Sequence, residues 1–192
     1  MTKKFYAYYV DGKKGIVDNW NDCKNIVNNK KAKYKSFKNK DEAEYWLNND
    51  FKLKELPKGI YFDAGTGGKI GVEVKVTDEK GKNLLFKILP LEKINKNGNY
   101  SSPESTNNFG ELLGCYFALN IAFKDSIKNI YGDSKLILEF WSQGRIKKDS
   151  LPEKTIRLAE EVKKLRKEFE AKGGKLEYIS GDRNPADLGY HK

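Results

Sequence analysis

Apolar positions along this chain change period several times, and each change marks an element. Phe5 to Val10 reads as a strand, and Asp11-Gly12-Lys13-Lys14-Gly15 as a turn. A second strand starts at Ile16 to Asp18. Trp20, Cys23, Ile26 and Val27 then recur at helical spacing, with Asn19 or Asn21 as the cap. Ala32 to Phe37 alternates as a strand. Asn39 caps a helix with Ala43, Trp46 and Leu47 on one face. Residues 48–57 carry no period and read as a connector, spanning at most about 30 Å when extended.

The remainder predicts a mixed α/β order. Strands are expected at 59–63, 69–77 and 83–90 as a meander, then a long loop from Asn95 to Glu104. An apolar helix covers 107–123, a strand 128–132 and a helix 134–144. Ser150 and Pro152 open a long helix with Ile156, Ala159, Val162, Leu165 and Phe169 on one face. Gly173-Gly174 stops it. A last strand, Lys175 to Ile179, precedes a short C-terminal helix carrying Asp187. Periodicity alone gives only the α/β class. The expected division is 1–50, a linker at 51–57, and 58–192.

Composition adds a direction to this outline. The 192 residues suffice for one ordinary domain and a small one. The formal charge is +10, and residues 1–40 carry eleven lysines against Asp11, Asp18 and Asp22, hence +8 of it. Such a concentration suits a polyanion-binding module, or else a merely soluble basic surface. Cys23 and Cys115 make no disulfide framework and no zinc spacing, and both read as buried thiols in a reducing compartment. The N-terminal stretch is too short and aromatic for a secretory leader, and no apolar run is long enough to span a membrane. A cytoplasmic location is expected.

Four carboxylates stand out in this background. Asp63 ends the apolar run Gly59-Ile60-Tyr61-Phe62 and precedes a glycine-rich turn. Glu111 interrupts an apolar helix, Asn107-Asn108-Phe109-Gly110-Glu111-Leu112. Asp133 follows Asn129-Ile130-Tyr131-Gly132, and Asp187 sits in Asn184-Pro185-Ala186-Asp187. Taken singly, each is ordinarily a solvated group or a cap. A carboxylate on an apolar helix face needs a partner, because an unpaired buried charge is costly. Several gathered together can share hard divalent cations.

The order Asp, Glu, Asp, Asp in these surroundings resembles type 1 ribonuclease H over residues 58 to 192. The resemblance implies a ribonuclease H-like fold with a mixed five-stranded sheet, and an endonuclease that hydrolyses the RNA strand of RNA–DNA hybrids. It implies two Mg²⁺ ions, with Mn²⁺ as an alternative, held by Asp63, Glu111, Asp133 and Asp187. Asp63 would bridge the ions, Asp133 and Asp187 would complete the nucleophile-activating site, and Glu111 would hold the second ion near a ribose 2′-OH. Asn107, Asn108 and the Gly110 backbone match groups that contact the 2′-OH, although either asparagine also suits a helix cap. Thr106 matches a position gripping a DNA phosphate. Ser134 is a further nucleic-acid contact that the resemblance implies, while Lys135 beside it stands where close relatives carry Gln. Asp182 is the candidate for a product-release group, with pairing to Arg183 as the alternative.

Residues 1–50 resemble the hybrid-binding, viroplasmin-like domain that precedes many type 1 ribonucleases H. Phe5-Tyr6-Ala7, Gly15-Ile16, Trp20-Asn21-Asp22-Cys23, Lys33-Tyr34-Lys35-Ser36-Phe37 and Asp41-Glu42-Ala43-Glu44-Tyr45-Trp46-Leu47 carry that resemblance. It implies nucleic-acid contacts at Trp20, Tyr34 and Lys35. The alternative for the two aromatics is a small core. The implied partner is an RNA–DNA hybrid, with double-stranded RNA as a second ligand of this domain; a monomer is expected, and no membrane. Two other function classes stay open: a nonenzymatic hybrid- or double-stranded-RNA-binding protein, and another ribonuclease H-like nuclease such as a 3′–5′ exonuclease or integrase.

Overall fold

A computed structural model describes residues 4–30, 32–49, 56–67 and 71–189. The chain divides into two compact units, Met1–Leu56 and Pro57–Lys192. Most of the expected linker, at 51–55, lies outside the described residues.

The first unit is a three-stranded antiparallel sheet ordered β2-β1-β3, from β1 (Phe5–Val10), β2 (Lys13–Val17) and β3 (Ala32–Phe37). The β1–β2 hairpin turns on Asp11-Gly12, both at positive φ (51° and 78°), the pair a two-residue hairpin demands. The second strand therefore starts at Lys13, earlier than expected. Asn19, not Asn21, caps α1 (Trp20–Val27), accepting from the Asp22 amide at 2.9 Å. Asn39 accepts from the Glu42 amide ahead of α2 (Lys40–Asn49). Ala43 and Leu47 of α2 pack on Ala7, with Phe5, Ile16, Phe37 and Trp46 around them.

In the second unit the sheet runs β6-β5-β4-β7-β8. Its strands are β4 (Ile60–Gly65), β5 (Val72–Asp78), β6 (Tyr100–Ser102), β7 (Asn129–Gly132) and β8 (Lys175–Tyr178). β5 pairs antiparallel with both β4 and β6, while β7 joins β4, and β8 joins β7, in parallel. This is the expected α/β class with a mixed five-stranded sheet. Ile60, Phe62, Ala64, Val74 and Val76 form one core with Leu112, Cys115, Leu119 and Ala122 of α3 (Asn107–Asp125) and Leu158, Ala159 and Val162 of α5 (Glu153–Ala171).

Several expectations are corrected here. The apolar run 83–90 makes a 3-10 turn at Leu85–Lys87 rather than a strand, and a second turn follows at Leu91–Lys93. The Asn83 side chain accepts from the Leu85 amide and donates to the Gly98 carbonyl, which curls the run away from β5. The third strand is instead Tyr100–Ser102, inside the expected loop. The helix expected at 134–144 is only α4 (Lys135–Glu139), because the backbone breaks at Phe140 and resumes as a 3-10 turn at Trp141–Gln143. Asp187 lies on a turn after a 3-10 segment at Gly181–Arg183, not on a helix. Ser150 does not cap α5; Pro152 holds that position.

Candidate metal centre and nucleic-acid face

Strand register builds the carboxylate site. β4 and β7 pair with Tyr61 beside Tyr131, and the two rings stack at 4.8 Å. Two residues further along come Asp63, within β4, and Asp133, on the bend just after β7 ends. A side-chain period of two keeps Asp63 on the face of Tyr61. The same offset from the paired tyrosines brings Asp133 alongside it.

Glu111 arrives from α3, and two glycines make that approach close. A Cβ on Gly110 would lie 3.0 Å from the Ala64 Cβ and 2.9 Å from Val72 Cγ1; one on Gly114 would lie 3.1 Å from the Phe62 ring. The helix therefore seats directly on β4 and β5, which lowers Glu111 into the core at 4% exposure. Thr106 caps α3, accepting from the Phe109 amide at 3.3 Å, so neither Asn107 nor Asn108 is the cap.

The outcome is a cluster in which one carboxylate oxygen each of Asp63, Glu111 and Asp133 lies within 4.8 Å of the others. Burial and then the Asp133 charge raise the Asp63 pKa from 3.8 to about 6, and Asp187 adds to the rise. Burial, then Asp63 and Asp133, push Glu111 from 4.5 to about 9; the Ala64 amide opposes the rise at both. The buried Glu111 Oε2 has no hydrogen-bond partner. Three carboxyl groups that resist ionising together, one with an unpartnered oxygen, are the environment a hard cation relieves, so the residues present fit a divalent ion.

Asp187 is not within that 4.8 Å group. Its Oδ1 accepts from the Gly189 amide at 2.8 Å, while its neighbour Leu188 donates its amide to Asp63 Oδ2, also at 2.8 Å. Asp182 is exposed on the 3-10 segment beside Gly181, where a Cβ would sit 3.0 Å from Asp133 Oδ2. Around the cluster, Thr106 and Asn108 are exposed, Asn107 is half-buried with an unpartnered Oδ1, and Gly110 is buried. Ser134 caps α4, accepting from the Ile137 amide. Sequence reasoning missed the Leu188 amide and Asn184, whose side chain donates to the Phe62 carbonyl at 2.9 Å. An asparagine three residues before a candidate ligand was their only signal.

The three contacts expected of the first unit do not share one face. Trp20 lies 5.6 Å from the Tyr6 ring and 5.5 Å from the Tyr34 ring. With 40% and 49% exposure, Trp20 and Tyr34 form an open aromatic surface rather than a core. Lys35 follows Tyr34 in the strand and so points the other way, over the Phe37 ring and into a groove with Trp46, Asp41 and Glu42. Tyr6 joins the aromatic surface unforeseen, although its alternation with Ala7 marks it for that face.

Residues 4–47 match the family model described as the ribonuclease H1 N-terminal domain. Among solved structures, the chain is similar to the N-terminal RNase H domain of a Mycobacterium tuberculosis protein, solved as a fusion with maltose binding protein. The identity is 18% over 68% of this chain and 92% of that one, with a TM-score of 0.44. It is also similar to RNase H1 from the halophilic archaeon Halobacterium salinarum, at 17% identity over 68% of this chain and 91% of that one, with a TM-score of 0.42. No curated protein matches the chain by sequence. No helix among the described residues is long and apolar enough to cross a membrane.

Proposed function

We propose that the chain is an endonuclease that hydrolyses the RNA strand of RNA–DNA hybrids, with residues 1–50 holding the hybrid and residues 58–192 cutting it. The observation that carries this reading is the meeting of buried Asp63 and Glu111 with half-buried Asp133, from β4, α3 and the bend after β7, with one oxygen left unpartnered. The match of residues 4–47 supports the hybrid as the substrate class.

Asp63 and Asp133 would hold Mg²⁺ with Glu111, and Asp187 would join them from the adjacent turn. When bound, two such ions would activate water and neutralise charge developing on the phosphodiester. The protein's part is positional. The β4–β7 register fixes the spacing of two carboxylates, and Gly110 and Gly114 fix the depth of the third. Asn107, Asn108 and the Gly110 backbone would face ribose 2′-OH groups, and Thr106 and Ser134 the flanking strands. Exposed Asp182, beside the cluster, would act in product release. Trp20 and Tyr34 would stack on sugars or bases.

Asp133→Asn tests this reading. It removes a ligand charge without removing nucleic-acid surface, so cleavage of a labelled hybrid should fall by at least about a thousandfold, while hybrid affinity in Ca²⁺ stays within about threefold. Wild-type turnover by this variant would reject the carboxylate site.

A further inference from the structure

The segment after β8 has almost no regular structure, yet it is tied to β4 and β7 at several points. The Ile179 amide donates to the Gly132 carbonyl at 2.9 Å, Gly181 packs on Asp133, and the Leu188 amide donates to Asp63. Asn184 stands in the middle, 5% exposed, with all four of its polar groups used. Its amide donates to the Gly181 carbonyl at 3.1 Å, and its carbonyl accepts from the Asp187 amide at 3.0 Å. Its Nδ2 donates to the Phe62 carbonyl at 2.9 Å, and its Oδ1 accepts from the Ala186 amide at 3.0 Å.

These last two partners are the residues immediately before Asp63 and Asp187. One side chain therefore ties the backbone that carries one carboxylate to the backbone that carries the other. We propose that Asn184 is a positioning residue for the metal site, setting the separation of Asp63 and Asp187 and holding the Leu188 amide on Asp63 Oδ2. The role needs a donor and an acceptor on two separate atoms of one short, neutral side chain, which among residues of this size only asparagine offers. Aspartate would keep the acceptor and set a carboxylate against the Phe62 carbonyl; serine would not reach both groups. This role rests on the metal-site reading above.

Calorimetric titration of the full chain with Mn²⁺ tests it, alongside hybrid cleavage as a function of Mg²⁺ concentration. Partners that orient metal ligands typically contribute tenfold or more to affinity. Asn184→Ala should weaken Mn²⁺ binding by about tenfold and raise the half-saturating Mg²⁺ concentration by the same factor, with kcat at saturating Mg²⁺ within about threefold. Asn184→Asp, equal in size, should shift both in the same direction and carries the test if the alanine variant does not fold. Ile179→Val trims a buried side chain in the same segment and serves as the stability control; it should lower the melting temperature and leave Mn²⁺ binding unchanged. Wild-type Mn²⁺ affinity in both Asn184 variants, or a loss matched by Ile179→Val, would overturn the proposal. If the wild-type chain itself binds no Mn²⁺, the metal-site reading fails first and this role fails with it.

Discussion

Replacing Glu111 by glutamine should stabilise the metal-free protein at neutral pH while removing much of its response to divalent ions. Glu111 is 4% exposed, and its pKa stands at about 9 against an ordinary 4.5. Between those values the folded chain holds a proton that the unfolded chain has released. Stability therefore falls as pH rises through this window. Keeping Glu111 protonated at pH 7.5 costs at most about 4 kcal/mol, and at pH 5.5 about 1.4 kcal/mol. Glutamine has the same shape and no proton to hold, so it escapes this penalty. The ionising Asp63 beside Glu111, whose pKa is about 6, adds a smaller cost in the same direction. Relative to wild type in a chelator, Glu111→Gln should gain about 1–3 kcal/mol on going from pH 5.5 to 7.5, or roughly 3–10 °C in melting temperature for a unit of this size. Saturating Mg²⁺ should raise the wild-type melting temperature at pH 7.5 and do far less for the variant. Parallel pH slopes for the two proteins in chelator, or a variant less stable at pH 7.5, would refute the buried-charge reasoning.

Two other expectations follow from the packing and the aromatic face. Gly110→Ala should cost about 1–3 kcal/mol from the clash with Val72 and Ala64, offset by about 1 kcal/mol of helix propensity, and should lift Glu111 away from Asp63; an unchanged melting temperature and Mg²⁺ requirement would contradict the close-approach account. Trp20→Ala should lower hybrid affinity by about 1–3 kcal/mol with little change in its salt dependence, whereas removing residues 1–50 should reduce the slope of log affinity against log salt by roughly two to three units if three lysines touch phosphates. Salt titrations of both on one hybrid check this, and unchanged affinity in both would mean that the first unit does not hold the substrate.

Elements with a strong period were legible in the sequence, because one buried face dictates them. α3, α5, β4, β7 and β8 stand within a few residues of their expected places. The run 83–90 was misread because Leu84 and Leu85 are buried while Phe86 is exposed, a turn-like pattern that eight mostly apolar residues disguise. β6 was illegible: three residues, two of them serine, become a strand only through pairing with β5 and the Asn99 to Glu73 hydrogen bond. The motif order pointed to Asp63, Glu111 and Asp133 without giving their distances; those come from strand register and helix glycines. Asp187's place outside the close cluster depends on loop hydrogen bonds around Asn184, which no period encodes. The split between Tyr34 and Lys35 was readable from strand alternation alone.

The central claim is that this carboxylate cluster cuts RNA paired to DNA, and a panel of end-labelled duplexes tests it most directly. The full chain is incubated in Mg²⁺ with an RNA–DNA hybrid, duplex RNA, duplex DNA, and a DNA duplex containing one ribonucleotide. The account predicts internal cuts in the RNA strand of the hybrid, abolished by chelator. It also predicts no cleavage of duplex DNA or duplex RNA, and poor cleavage at the lone ribonucleotide, because recognition spans several consecutive 2′-OH groups. An intact hybrid under conditions where the chain binds Mg²⁺, or equal cutting of duplex DNA, would contradict it.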